Sequence, residues 1–317
     1  MHSLFYDDTV AVMKTLRNQG FQLVYLEKFL EEFEAYCLIN HPKQSFLTYE
    51  IAEGWIHSCE TTSKQQLDKR VRTMKHLGHY QRGIGKDAYI PRYRIKAPRP
   101  KPPHLFTDEQ LLEFFEKLDQ LKPDNRNPNR QFIFPIMFRL IYCCGLRSSE
   151  ACKLRVSDVD FDKGTLSIYH SKGFKDRLIY MSRDVSELCL RFHQFYTTLV
   201  PNREYFFHST MKNGSYANTN VCNIFDSVLC RTSFFKSYSK KPTPQGLRHL
   251  FAVKSMKKCL ESGEDFNNWI KYLSKYMGHK SSSETMYYLH LVADLFPIYK
   301  PKLAKLVEGF GVTYVED

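Results

Sequence analysis

Lys275-Tyr-Met-Gly-His279-Lys-Ser-Ser-Ser-Glu-Thr-Met-Tyr-Tyr288-Leu-His290 is the stretch on which the reading of this chain turns. A Gly-His pair is followed by a serine-rich cap and then by a run compatible with a helix. Serine just before such a run is a helix-start signal, because its hydroxyl satisfies an otherwise unpaired backbone N–H. The result is an imidazole and a phenol at a short, fixed separation, which suits a tyrosine that reacts. The residues alone do not choose between Tyr287 and Tyr288, since an aromatic on a helix is more often core than catalytic. Taken singly, His279 and His290 are more often satisfied structural histidines than working ones.

Working outward, 317 residues and 37.5 kDa exceed one ordinary core and suit two domains. With 43% hydrophobic and 15% aromatic residues and a mean hydropathy of -0.45, substantial cores can form in a chain that stays in water. No apolar run approaches the ~20 residues that span a bilayer, and the first residues show no signal-peptide pattern, so a cytoplasmic protein is expected, with no membrane partner. Nine cysteines are scattered without zinc-type spacing or pairing with histidines. They are expected to be buried, reduced thiols, and neither a metal site nor a cofactor is expected.

The formal net charge of +12 is unevenly placed. From Lys64 to Lys101 there are twelve Lys/Arg against Asp68 and Asp87, interleaved by His79, Tyr80, Tyr89 and Tyr93. Such concentration favours a polyanionic partner, of which a phosphate backbone is the commonest. Charge alone does not separate DNA from RNA or an acidic membrane.

The first 90 residues read as a helical domain. Leu23, Leu26, Leu30, Phe33 and Cys37 recur at steps of three and four, predicting a helix over 22–38. Further helices are predicted over 48–59 and 62–77, the last with Leu67, Val71, Met74 and Leu77 inward and Lys64, Lys69, Arg72 and Lys75 elsewhere. Residues 91–104 are read as a stiff, basic, proline-rich linker, because proline removes donors and restricts its predecessor. Thr107-Asp-Glu-Gln110 is a capping box opening a second domain, 105–317, with a helix that buries Leu111, Leu112, Phe115 and Leu118. An apolar helix over 131–144 carries Pro135, ends at Gly145, and leaves Arg147 at a junction before a short helix capped by Ser148-Ser-Glu150. Strand-like runs around Asp162-Lys-Gly164 and Ser171-Lys-Gly-Phe-Lys-Asp-Arg177 predict a three-stranded antiparallel meander with Lys172 on its second turn. From Val185 onward the chain reads as mainly helical.

Arg147, Lys172, Arg248, His279 and Tyr288 are five residues suited to one task. At this point the chain resembles the tyrosine recombinases of the phage-integrase/Xer type. The resemblance rests on Gly-Leu-Arg-Ser-Ser-Glu150, Ser-Lys-Gly-Phe-Lys-Asp-Arg177, Gly-Leu-Arg-His249, Met-Gly-His279 and Tyr288-Leu-His290, with Tyr288 nine residues after His279. Each motif is weak alone, and their order and spacing together are specific. Motif matches run from Thr107 to His290, and the basic N-terminal part resembles the family's core-binding domain.

The resemblance implies a mainly α fold with a small antiparallel sheet, and strand cleavage and rejoining through a 3′-phosphotyrosyl link at Tyr288, for integration or excision of a mobile element. It implies that Arg147 and Arg248 hold the phosphate, that Lys172 protonates the leaving oxygen, with Lys175 a close rival, and that His279 bonds a phosphate oxygen. Glu150 and His249 would support them. Lys64, Lys69, Arg72, Lys75, Arg92, Arg94, Lys96, Arg99, Lys101, Lys175 and Arg177 are the expected DNA contacts. Partners implied are double-stranded DNA at specific sites, a homotetramer on two such sites joined by a C-terminal exchange helix, and an accessory DNA-bending protein. The sequence departs from the family pattern at Gln245, where histidine is usual, since an amide cannot act as a base. That departure keeps open a second reading, a DNA-binding accessory factor with a degenerate site.

Overall fold

The computed structural model describes residues 2–20, 24–59, 63–96, 102–169, 176–210, 214–238, 240–279 and 281–295. The chain divides into two units, Met1–Pro100 and Lys101–Asp317.

The first unit holds α1 (Tyr6–Asn18), α2 (Val24–Asn40), α3 (Tyr49–His57) and α4 (Lys64–Gly83). The predicted stripe of α2 is buried at Leu26, Leu30, Phe33 and Cys37, while Leu23 lies outside the described residues. It meets Val71, Met74 and Leu77 of α4 and Trp55 of α3 in one core. Thr48 caps α3 and Ser63 caps α4, each side chain accepting a backbone N–H three residues on. Sequence reading misses α1, which buries Val12 and Leu16 in this core and is also tied by polar links: buried Asp8 accepts from Gln81 Nε2 at 2.5 Å and from Lys86 Nζ at 2.7 Å. The same Gln81 accepts the N–H of Leu47 at 2.8 Å, and α4 runs six residues past its predicted end at Leu77.

Residues 91–96, read as the start of a linker, instead lie on this unit. Pro91 is buried, the Tyr93 hydroxyl donates to Glu53 at 2.6 Å, and Lys75 Nζ donates to the Tyr93 carbonyl at 2.7 Å. Gly78 makes the approach possible, since a Cβ there would stand 2.5 Å from the Tyr89 carbonyl oxygen.

The second unit is mainly helical with a small sheet. It contains α5 (Asp108–Asp119), α6 (Arg130–Cys144), α7 (Ser148–Lys153), β1 (Val159–Asp160), β2 (Thr165–Ile168), β3 (Arg177–Tyr180), α8 (Arg183–Leu199), α9 (Asn218–Leu229), α10 (Pro244–Ser262), α11 (Phe266–Met277) and α12 (Ser282–Leu295). Thr107 and Gln110 form the predicted capping box of α5. The buried face of α5 is Leu111, Phe114 and Leu118; Leu112 is exposed and Phe115 only partly covered, a correction to the predicted stripe. Phe114 enters an aromatic cluster with Phe138 of α6 and Phe225 of α9, at ring separations of 4.9 to 6.0 Å. The three strands pair antiparallel in the order β1-β2-β3, with Leu166 opposite both Val159 and Ile179. Among the described residues, no helix is long and apolar enough to cross a membrane.

Candidate active site

The site begins where α6 ends. Gly145 adopts φ +63°, the left-handed turn that closes a helix and is open to glycine. Its hydrogens face Phe251 of α10, so a Cβ there would lie 2.5 Å from the ring. Two residues on, Arg147 is the N-cap of α7, in place of the predicted serine cap, and its N–H donates to Glu150 Oε2 at 2.8 Å. The Arg147 guanidinium reaches back to Glu150 Oε1 at 2.8 Å and forward to the Gly278 carbonyl at 2.9 Å.

Glu150 is the hub of a buried ion network. Arg177 on β3 donates to both its oxygens, at 2.9 and 2.7 Å, and Arg248 on α10 stands 3.8 Å away. Burial pushes the Glu150 carboxyl up, but the Arg177 hydrogen bonds and charge, the Arg147 N–H and Arg248 outweigh it and hold it at about 2. One carboxylate thus faces three guanidinium groups, an excess of positive charge that an incoming anion would offset.

Arg248 is 1% exposed. Its Nη1 donates to the Gly145 carbonyl at 2.7 Å and its Nη2 to the Met277 carbonyl, while Nε is buried with no hydrogen-bond partner. Burial and the neighbouring Arg147 charge lower its pKa to about 10, so it remains a cation at neutral pH. The fork expected to hold a phosphate is therefore already fastened to the backbone, and Nε is its one nitrogen without a hydrogen-bond partner.

The turn after α11 supplies the opposite wall. Gly278 takes φ +63° and its N–H donates to Lys275 O, which leaves His279 to start the next segment. A Cβ on Gly278 would come within 3.1 Å of Arg177 Nη1 and 3.4 Å of Arg147 Nη1, so glycine lets both guanidinium groups approach the turn. His279 Nδ1 is held by Thr285 Oγ1 at 2.7 Å, and its ring lies parallel to that of Tyr288 at 5.9 Å. Tyr288 on α12 is buried, with its hydroxyl 3.0 Å from His249 Nδ1, whereas Tyr287 is 39% exposed. Burial pushes the Tyr288 phenol up, while the charge of Arg248, a hydrogen bond from the Arg248 side chain and the charge of Arg147 pull against it. His249 and His279 are both lowered to about 4, by burial first and by Arg248 next, so both are neutral at pH 7. A cavity of about 710 Å³ lined by Arg177, Lys271, Lys275, Gly278, His279 and Ser281 opens beside them.

Of the residues singled out in the sequence, the structure brings Arg147, Glu150, Arg248, His249, His279 and Tyr288 into this one region. Gln245 sits half-buried on the first turn of α10. Lys172, Lys175, Arg99 and Lys101 lie outside the described residues, as does the part beyond Leu295 of the C-terminal segment read as an exchange helix. Lys64, Lys69, Arg72, Arg92, Arg94 and Lys96 are exposed on the first unit, and Lys75 is half-buried. Arg177, expected as a DNA contact, has a side chain that is 6% exposed and bound to Glu150 and the Tyr276 carbonyl. Sequence reasoning missed Arg177 and Thr285 as parts of the site. The Lys-Asp-Arg177 run looked basic and exposed, and no spacing rule singles out a threonine six residues past His279.

The class that this fold and this gathering of residues define is the tyrosine recombinases. The model of the phage integrase family matches residues 106–294, and the chain belongs to that family of site-specific recombinases, enzymes whose partner is DNA. It is similar to the tyrosine recombinase XerA of Pyrococcus horikoshii, 26% identical over 295 residues that cover 90% of this chain and 87% of the relative. Its fold is similar to that of the Tn1549 transposon integrase in complex with transposon right end DNA, with a TM-score of 0.60, 16% identity, and coverage of 89% of this chain and 94% of that one. It is also similar to the XerH recombinase bound to palindromic difH substrate, with a TM-score of 0.58, 18% identity, and coverage of 82% and 72%.

Proposed function

We propose that this recombinase cleaves and rejoins DNA strands at specific sites through a 3′-phosphotyrosyl link on Tyr288, and that it serves integration or excision of a mobile element. The observation that carries the reading is the position of the Tyr288 hydroxyl, buried against His249 at 3.0 Å and within the field of Arg248 and Arg147. In-line attack on a phosphodiester builds charge on the non-bridging oxygens, and preorganised cations stabilise that charge most where water is excluded. Arg147 offers the more accessible guanidinium and Arg248 the more buried one. A phenolate, with a reference pKa near ~10, leaves more readily than an alkoxide, so the strand can be rejoined without an external energy source. Lys172 protonates the departing 5′ oxygen, and His279 bonds a phosphate oxygen.

The first unit is read as the core-binding domain, its exposed cations holding phosphates. A homotetramer on two DNA sites, coupled through the C-terminal segment and assisted by a DNA-bending protein, completes the reading, in the cytoplasm. The alternative of an accessory factor with a degenerate site is favoured only by Gln245. A nicked suicide duplex separates the two. We expect the protein to form a covalent DNA adduct that Tyr288→Phe abolishes, and a protein that binds the duplex tightly yet never becomes linked to it would make the accessory reading correct.

A further inference from the structure

Around the Tyr288 hydroxyl, the described side chains differ sharply in what they can do with its proton. His249 directs Nδ1 at the oxygen from 3.0 Å, the two rings 5.5 Å apart. His279 instead lies face to face with the phenol ring at 13°, its Nδ1 held by Thr285. Arg147 and Arg248 are cations with no acceptor, and Glu150 is engaged by guanidinium groups. Gln245 carries an amide, which shares a hydrogen bond but takes up no proton.

We propose that His249 is the base of strand cleavage, its Nδ1 taking the phenolic proton while the Tyr288 oxygen attacks phosphorus. The inference rests on the phosphotyrosyl reading and assigns within it a catalytic residue that position 245 does not supply. The Tyr288 O–H bond breaks and an N–H bond forms on Nδ1. The Tyr288 O–P bond forms as the bond from phosphorus to the 5′ oxygen breaks, and that oxygen takes its proton from a separate acid, the part read for Lys172. On rejoining, the 5′ hydroxyl gives its proton to the conjugate base of that acid as its oxygen attacks phosphorus, the bond from phosphorus to the tyrosine oxygen breaks, and the imidazolium returns its proton to that oxygen.

The surroundings suit this exchange. Burial and Arg248 keep the imidazole neutral at rest, so with the ring proton on Nε2 its Nδ1 lone pair faces the phenol. A phosphodiester seated between the guanidinium groups adds negative charge beside the ring, which favours the imidazolium as the attack proceeds. The resting site thus holds a poor base that the substrate improves.

A residue that only orients Tyr288 and one that removes its proton respond differently to three changes. The assay is adduct formation on a nicked duplex selected from a randomised library by binding to the Tyr288→Phe protein. His249→Asn keeps an acceptor near the Nδ1 position but cannot hold the proton, and we expect it to slow cleavage about 100-fold. Replacing Tyr288 by a difluorotyrosine, whose phenol is more acidic, should shrink that deficit several-fold. Sulfur in place of the bridging 5′ oxygen, which leaves without an acid, should leave the deficit unchanged. His249→Gln serves as a second variant where His249→Asn loses its melting transition. A rate within about two-fold of the unchanged protein, a deficit indifferent to the difluorotyrosine, or a deficit erased by sulfur would each overturn the assignment. An absent adduct in the unchanged protein, or one that survives Tyr288→Phe, would instead overturn the phosphotyrosyl reading itself.

Discussion

Glu150 is the residue on which the geometry of the site converges, because one carboxylate holds three guanidinium groups near a common point. Its folded pKa of about 2 lies below the ordinary 4.5, so its contribution is fully present above pH 4.5 and is lost as the pH falls toward 2. The shift corresponds to roughly 3 kcal/mol of stability. Glu150→Gln should therefore lower unfolding stability by about that amount at pH 7 and flatten the stability profile between pH 4.5 and 2, as read from denaturant melts. His249 and His279 act with the same sign at higher pH. Both are held near 4 against an ordinary 6.5, so the unfolded chain takes up their protons first and stability declines as the pH drops from 6.5 toward 4. At this scale the sequence announced the residue types and their order. It did not announce that Arg177 is interior, because an arginine in a Lys-Asp-Arg run has the composition of a surface and becomes buried only through a partner 27 positions away.

Between elements, the turns carry the precision. The α6–α7 junction delivers two groups at once, since Gly145 lends its carbonyl to Arg248 and lets Arg147 follow immediately. Gly145→Ala places a side chain in the left-handed region and into Phe251, at a combined cost of roughly 2–4 kcal/mol. Cleavage by this variant should fall more than ten-fold under conditions where it remains folded by its melting curve, because the displaced carbonyl no longer fixes Arg248. A variant that is destabilised yet cleaves at full rate would mean that this junction does not govern the guanidinium. The turns were legible in part: Gly145 and Gly278 each end an apolar run, the expected place for a left-handed residue. The α7 cap was not, as the backbone puts Arg147 rather than Ser148 at the start of the helix.

For the molecule as a whole, charge and architecture divide between two units, each with its own apolar core. Arg94 and Lys96 lie beside Tyr93, which is fastened to Glu53, so their backbone is anchored while their side chains are exposed. With the backbone already held, the entropy lost on meeting phosphate is chiefly that of the side chains. Replacing both by alanine should reduce the slope of log affinity against log salt by about 1.8, at ~0.9 for each phosphate contact on duplex DNA. The slope is read from titrations at several salt concentrations, and an unchanged slope would remove these two residues from the DNA interface. The two-unit organisation was legible from length and from the proline-rich, basic stretch, but not the fate of residues 91–96, whose attachment needs Gly78 and Glu53 from distant helices.

The sequence by itself determined the helix-and-small-sheet character of the chain, the order of its motifs and the choice of Tyr288 by family spacing. These are local or periodic signals, written in apolar repeats, caps and short separations along the chain. Tertiary structure alone decided that Arg177 joins the interior network, that the Arg248 fork is fastened to two carbonyls, and that His249 Nδ1 meets the phenol hydroxyl. Each of those outcomes depends on which groups burial forces together once water is gone, and desolvation acts on neighbours in space, whatever their distance in sequence.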